Sequence, residues 1–424
     1  MAYQNRVHNI QITLVPQEGA TVANPSGPNL YLHYQSSVYF TDPNGVPTVG
    51  LDANVKGPYL SFSGLGVPDV PSVTYTGDGF GGNGSVPNNR VVVDSEGLVL
   101  AHDGSFWVSD EYGPYIYHVS KKGTVIGAIR PPDAIIPMRN GSESFSADSP
   151  PFYDQDEVIT PADNPTGRDN NQGAEGLTTN PAGTKLYTLL QSAINQEGGL
   201  KNKNSRNARF LVYDITTSPP TYEAEYIVPL AFVNASDSGS KVAHQSEIHY
   251  ISDTQFLVLG RDSGAGRGQS STQSIYRHAD VFDISNATNV MGAAADCATC
   301  SVASTSGVLN KGTDTATVVP AEYCSWLDYN INAQLERFGV HNGGAQDDSL
   351  LNEKWESLAL APVNPGTNDG EFFLFSLSDN DFITQDGYMN SGKLKYADDS
   401  GYDVENQALV FRVKLPMGAK PLVS

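Results

Sequence analysis

Four times in this chain a glutamate opens a short apolar run: Ser95-Glu96-Gly97-Leu98, Ala174-Glu175-Gly176-Leu177, Ser246-Glu247-Ile248-His249 and Trp355-Glu356-Ser357-Leu358. Each run is followed by a turn and a second apolar run with a polar end. Those ends are Ser109-Asp110-Glu111, Gln191-Ser192, Arg261-Asp262 and Ser378-Asp379-Asn380-Asp381. From glutamate to polar end the spacing is 14, 16, 15 and 23 residues, the last lengthened by a Gly/Asn/Pro-rich insertion, Val363 to Gly370. Recurrence of one local chemistry at one spacing marks a repeated supersecondary unit.

Hairpin geometry says what such a unit builds. In the first unit, His102-Asp103-Gly104 separates two strand-like runs, and Asp-Gly supplies the positive φ of a tight hairpin. The start of one antiparallel strand lies beside the end of its partner, so Glu96 and Asp110/Glu111 share one edge. Radial repetition of such units gives an all-β propeller in which the glutamates converge on one mouth of a central channel. Four complete units are expected, at about 93–130, 174–231, 246–290 and 354–415. The alternating runs Val7–Val15 and Leu30–Tyr34 read as the outer half of a partial first unit at about 6–40, whose inner half is missing. Five or six blades fit, because residues 291–352 break the pattern and can hide one. In that insertion, Leu327, Ile331, Leu335 and Phe338 share one helical face, so 321–338 is expected as a short helix. Residues 62–90 and 131–172 read as loops, within a single domain spanning 1–424.

Composition narrows the function classes. The 424 residues carry 39% hydrophobic residues, 41 Gly and 26 Pro, which suits many short strands and turns. A net charge of −22 repels nucleic-acid phosphates and anionic membranes, so neither is an expected partner. No run approaches the roughly 18–20 apolar residues of a membrane span. The opening Met1-Ala-Tyr-Gln-Asn-Arg has no apolar segment of the kind a signal peptide needs. Yet sequons stand in loop-like contexts at Asn83, Asn140, Asn234 and Asn286, which fits a secreted glycoprotein. Cys297-Ala-Thr-Cys300 lacks a second pair or a nearby His for zinc, so a loop disulfide between Cys324 and Cys297 or Cys300 is expected.

One channel glutamate would be a solvated wall residue; four at one position repel each other and raise each other's pKa. A divalent cation relieves that repulsion, and hard cations such as Ca²⁺ take carboxylate oxygens. Solvated walls or pairing with Arg or Lys are the plainer alternatives. There is no Gly-X-Ser-X-Gly elbow and no His-Glu-X-X-His. The stretch Gly77–Gly84 is glycine-rich but lacks the lysine of a phosphate loop. His249, on the alternation of Glu247, reads as a structural histidine or a general base.

Together these stretches resemble the phytase-like family, "esterase-like activity of phytase", in its secreted fungal style. The resemblance rests on Asp94-Ser-Glu-Gly-Leu, Asp103-Gly-Ser-Phe-Trp-Val-Ser-Asp-Glu-Tyr-Gly-Pro-Tyr-Ile-Tyr, Asn171-Gln-Gly-Ala-Glu-Gly-Leu, Leu189-Leu-Gln-Ser-Ala, Leu259-Gly-Arg-Asp, Lys354-Trp-Glu-Ser-Leu-Ala-Leu and Ser378-Asp-Asn-Asp-Phe. It covers roughly 6–415 and implies a secreted, propeller-like hydrolase of ester or phosphoester bonds. The secretion signal, the early glycine-rich segment and the Asp-Arg-Gly motif usual in such proteins do not appear here, and Ala174 replaces a bulkier residue.

The resulting expectation is a metal-dependent hydrolase, expected as a monomer, acting on a small-molecule ester or phosphoester. Glu96, Glu175, Glu247 and Glu356 would hold a divalent cation, Ca²⁺ foremost. Asp379, Asp381, Asp262 or Asp110 would orient or deprotonate the attacking water. Arg261, Arg168, Asn380 and His249 would contact substrate. Two rivals use the same parts: a lactonase-type ring opening, and a non-catalytic ligand-binding propeller with a structural cation.

Overall fold

The structure is a computed structural model that describes residues 3–57, 59–67, 69–74, 89–151, 153–234, 240–309, 317–367, 369–389, 392, 394–416, 419 and 422. Its frame is a series of antiparallel sheets built in chain order. The first four-stranded sheet runs β5 (Ser95–Leu100), β6 (Phe106–Asp110), β7 (Ile116–Val119), β8 (Val125–Ile129). It follows a ribbon of β1 (Arg6–Leu14) with β2 (Leu30–Tyr39) and a short pair, β3 (Ser72–Thr74) with β4 (Asn89–Val91). After a small hairpin, β9 (Met138–Arg139) with β10 (Ser142–Glu143), come β11 (Ala174–Thr179), β12 (Lys185–Leu190), β13 (Asn207–Asp214) and β14 (Thr221–Pro229). The next sheet is β15 (His244–Tyr250), β16 (Gln255–Arg261), β17 (Arg277–Asp283) and β18 (Glu322–Asp328). The last is three-stranded, β19 (Ala359–Pro362), β20 (Glu371–Leu377) and β23 (Ala408–Lys414), with β21 (Gly387–Met389) and β22 (Leu394–Tyr396) as an excursion.

The first strands of the first three four-stranded sheets, β5, β11 and β15, lie side by side, and the arrangement is a β-propeller. Leu177 N–H of β11 donates to Glu247 Oε1 of β15 at 3.0 Å, and Tyr250 N–H donates to Thr178 Oγ1 at 3.1 Å. Ser109 Oγ donates to the Glu175 carbonyl at 2.6 Å. A Cβ on Gly97 would lie 2.5 Å from Leu177 Cβ, and one on Gly176 would lie 2.8 Å from Ile248 N. The glycine after the first two glutamates thus lets neighbouring inner strands touch. Apolar layers fill the space between sheets. Tyr187, Phe210, Phe256 and Phe282 seal the second sheet to the third. Leu257, Leu259, Trp355 and Leu374 seal the third to the fourth.

Each of the first three sheets breaks register at its glutamate, between Ser95 and Leu98, Ala174 and Gly176, and Gln245 and Glu247. A bulge at that point re-aims the side chain away from ordinary alternation. The turn at Gly104 has φ 84°, as the Asp-Gly signal requires.

Several expectations are corrected. Residues 322–328 form β18, the outer strand of the third sheet, not a helix; helical turns cover only Asn332–Leu335 and Glu336–Phe338. Ile331 and Phe338, assigned to an apolar face, are exposed. Glu-Tyr-Cys-Ser-Trp-Leu-Asp has strand-favouring residues, and pairing with it satisfies the open edge of β17. Residues 62–90 contain β3 and the start of β4. Cys297 bonds Cys300, while Cys324 is free and exposed on β18. The Cα atoms of Cys297 and Cys300 are 4.9 Å apart, within bridging range. Asn140, Asn234 and Asn286 are exposed; Asn83 and Gly77–Gly84 lie outside the described residues.

The ribbon β1–β2 is mostly exposed on both faces, and among the described residues its strands pair only with each other. Its tip reaches the last sheet and the helical turn before it, where Arg412 of β23 pairs with Glu18 and Arg337 Nε donates to the Ala20 carbonyl. The segment before it reaches the mouth of the channel. Asn5 Nδ2 donates to the Val93 carbonyl at 2.7 Å, and Tyr3 O–H donates to Asp94 Oδ1 at 3.0 Å.

Candidate functional site

Three of the four repeated glutamates meet. Glu96 feels Glu175, Asp94 and Glu356, and Glu175 feels Glu111 and Glu356. Asp94, Glu96 and Glu111 form the tightest group: each offers an oxygen within 4.8 Å of the others. Burial first, then neighbouring negative charge, pushes Glu96, Glu111 and Glu175 well above the ordinary carboxylate range. Glu111 Oε1 and Glu175 Oε2 are buried and have no hydrogen-bond partner within the protein. The other oxygen of Glu175 accepts from Gln191 Nε2. Buried carboxylate oxygens without donors are costly. A hard, multiply ligated cation is the group that this donor set fits.

Two basic side chains border the cluster. Arg261 Nη2 donates to Glu356 Oε1 at 2.8 Å, and Arg261 Nε donates to Ser246 Oγ at 3.1 Å. Lys354 Nζ lies 3.3 Å from Asp381 Oδ1 and 3.9 Å from Glu356 Oε1. Those carboxylates hold the Lys354 ammonium above its ordinary pKa, against burial. Asp379 stands beside Glu356; burial and that neighbour raise its pKa. Asp381 is exposed, with φ 53°, and its N–H donates to Asp379 Oδ1. Next to Asp381, the Phe382 ring stands 5.8 Å from that of Tyr3, whose hydroxyl donates to Asp94.

The remaining expected site residues do other work. Glu247 points its Oε1 at two backbone N–H groups, Leu177 at 3.0 Å and its own Ile248 at 2.8 Å, so it ties two inner strands together and joins no cluster. Burial lifts it to about 8. Asp110 Oδ1 accepts the N–H groups of Asp94 and Tyr112 and fixes the turn at 110–113. Asp262 accepts from Ser274 Oγ and the Ile275 N–H and anchors a loop. Arg168 is fully buried and donates to the carbonyls of Tyr112, Asp169, Phe145 and Ser146, which makes it a structural tie between these loops. Asn380 donates to the Val404 carbonyl and accepts the Phe382 N–H. His249 is buried on β15; burial lowers it to about 4, so it is neutral near pH 7.

Sequence reasoning passed over Asp94, Lys354 and Tyr3 as site residues, and it placed Glu111 and Gln191 at the shared edge without giving them a role in the site. A signal existed for two of them. Asp94 precedes Glu96, and Lys354 precedes Glu356, by two residues, the period that puts strand side chains on one face.

The sequence matches the phytase-like family, esterase-like activity of phytase, over residues 32–382. The chain belongs to that family. It is 49% identical over 399 residues to an uncharacterized secreted protein of Arthroderma benhamiae, covering 92% of this chain and 76% of that protein. Among solved structures, a luciferin-regenerating enzyme aligns over 79% of this chain and 81% of its own, at 11% identity and a TM-score of 0.25, too low to transfer any residue role. No helix among the described residues is long and apolar enough to cross a membrane.

Proposed function

We propose that this protein is a secreted, cation-dependent hydrolase of small-molecule esters. Secretion is supported by the name of the Arthroderma relative and by exposed sequons at Asn140, Asn234 and Asn286. Hydrolysis is supported by the family. The observation that carries the mechanism is the meeting of Asp94, Glu96 and Glu111 with buried, donor-less oxygens on Glu111 and Glu175.

Asp94, Glu96 and Glu111 are the ligands for a divalent cation, Ca²⁺ by the all-oxygen donor set, with Glu175 alongside. When bound, such an ion supplies positive charge against a developing oxyanion and acidifies nearby water. The protein's own groups do the rest. Tyr3 O–H fixes one Asp94 oxygen, and Gln191 fixes one Glu175 oxygen, so the set is held before any ligand arrives. Arg261 and Lys354 pair with Glu356 and hold it in place. Asp379, with its raised pKa, is the carboxylate placed to take a proton from an attacking water. Asp262, Asp110, Arg168 and Asn380 act as scaffold.

A rate screen over aryl esters, lactones and phosphomonoesters, with and without chelator, tests the reading. Chelator is expected to lower the best rate by about 100-fold or more, with recovery on adding Ca²⁺. Glu111→Gln is expected to lose the response to Ca²⁺. A rate indifferent to chelator would rule the cation out of the chemistry.

A further inference from the structure

We propose that Asn140 carries an N-linked glycan whose first sugar, an N-acetylglucosamine, seats in a cavity of this protein and ties two surface segments together. This rests on secretion of the chain and not on the hydrolase reading. The place is the small hairpin β9–β10, apart from the carboxylate cluster.

Arg139-Asn140-Gly141-Ser142 closes that hairpin, with φ 51° at Asn140 and 77° at Gly141. Two successive positive φ values mark a type I′ turn, for which Asn-Gly is a preferred pair. The turn accounts for Asn140 and Gly141. It makes no demand for a hydroxyl at 142, and Ser142 is what completes the sequon Asn-Gly-Ser. Asn140, Gly141 and Ser142 are all exposed. Arg139 beside them is buried and donates to the carbonyls of Ser144, Pro161 and Ala162, which fixes the hairpin against the chain that follows.

Both sequon residues, Asn140 and Ser142, line a cavity of about 350 Å³. Asn286 is exposed as well but does not line it. A volume of this size far exceeds the roughly 30 Å³ share of one water and falls among small-molecule sites. The segment 153–160 forms the facing wall. Tyr153 O–H donates to Glu157 Oε2 at 2.7 Å and accepts the Val55 N–H at 3.2 Å, so that wall is set before anything occupies the space. Val55 and Ile159 add apolar surface, and Lys56 and Glu143 add polar groups. N-Acetylglucosamine presents hydroxyls, an amide and an apolar methyl, which suits such a mixed lining.

Two observations favour an occupant attached at Asn140. Val158 lines the cavity and is 88% exposed, more than any other large hydrophobic side chain among the described residues. A sugar seated from Asn140 takes that side chain out of water, a favourable step. Asn140 Nδ2 also donates to the Thr160 carbonyl at 2.7 Å, so the amide nitrogen already lies against the facing wall. A side-chain amide has two N–H donors. The sugar replaces one hydrogen and the other keeps the bond to Thr160. Thr160 follows the sequon by 20 residues, so this bond does not yet guard Asn140 when the sequon is first synthesised. The donor is an oligosaccharide on a lipid diphosphate. The bond from Nδ2 to the sugar C1 forms, the C1–O bond to the diphosphate breaks, the lipid diphosphate leaves, and Nδ2 gives up one proton.

The test secretes the full chain from a eukaryotic host and maps Asn140 by glycopeptide mass spectrometry. Asn140 is expected to be modified. Peptide N-glycosidase acting on the native protein is expected to release this glycan about tenfold or more slowly than from native Val158→Asp, because that variant loses the apolar seat. Ser142→Ala keeps the Asn-Gly turn and removes the sequon. It is expected to lower Tm by a few degrees in protein from this host and to change nothing in protein from a bacterial host, which adds no glycan. Ser142→Thr keeps the sequon and should keep the parent Tm. An unmodified Asn140 overturns the proposal, as do equal release rates from parent and Val158→Asp, or the same Tm change for Ser142→Ala in both materials. A failed hydrolysis screen bears on none of these readings, so the two proposals stand or fall separately.

Discussion

Glu247 differs from Glu96 and Glu175 in one neighbouring residue. Both of the latter are followed by glycine, while Glu247 is followed by Ile248, a buried core residue. Its carboxylate turns onto backbone N–H groups instead of the mouth. The repeat made all four glutamates visible in the sequence, but not which way a bulged strand would aim each one. The raised pKa of Glu247, about 8 through burial, makes this testable. The folded protein keeps a proton that the unfolded chain releases near its ordinary 4.5. The contribution is therefore full below that pH and is lost as pH rises through about 8. Glu247→Gln keeps an Oε1 acceptor and has no proton to lose. It is expected to match the parent at pH 4 and to exceed it by about 1–3 kcal/mol at pH 8. Urea unfolding at both pH values checks this; an equal difference at both would refute the assignment. Arg168 makes the complementary case. Arg168→Met strands the four carbonyls it serves and is expected to cost about 3 kcal/mol or more of stability. The surviving folded enzyme should keep its KM, which a substrate-binding arginine would not allow.

At the scale of elements, Glu-Gly explains itself as a spacing device. Gly97 and Gly176 have no positive φ to demand glycine; the demand comes from the adjacent inner strand, whose backbone stands where a Cβ would go. Gly97→Ala would meet the Glu175 carbonyl at 2.7 Å. Pushing β5 from β11 is expected to cost about 1–3 kcal/mol and to weaken Ca²⁺ binding about tenfold, because Glu96 and Glu175 shift apart. Gly19→Ala, with nothing within 4 Å, is the control and should be near neutral. Calorimetric titration with Ca²⁺ and denaturant melts on both variants decide it; equal effects of the two would show that the close approach is immaterial. Element reading succeeded where a local turn signal existed, as at Asp103-Gly104. It failed at β18, where the deciding partner, β17, lies some forty residues upstream. Short apolar runs do not announce whether they will be helix or strand; an open sheet edge chose strand there. The expected bond to Cys324 failed likewise, because proximity in the fold joins Cys297 to Cys300 instead.

For the whole molecule, the decisive quantity is the coupling between the clustered charge and stability. A chain with net charge −22 that gathers Asp94, Glu96, Glu111 and Glu175 at one mouth stores repulsion there. Binding a cation to the folded state alone stabilises it by mass action, about 2.7 kcal/mol at a hundredfold excess over Kd. Adding Ca²⁺ to chelator-stripped protein is expected to raise Tm by several degrees. An equal ionic strength of a monovalent salt should raise it much less, since screening reaches a buried group weakly. Glu111→Gln removes a ligand and one repelling charge together. It is therefore expected to lose most of the Ca²⁺ response while melting at least as high as the parent in excess chelator. Thermal unfolding of both proteins, in chelator, in monovalent salt and in Ca²⁺, separates the cases. A parent Tm that ignores Ca²⁺ would mean the buried carboxylates relieve their repulsion by holding protons. In that case raising the pH through their elevated pKa values, and not adding chelator, would be what destabilises the fold.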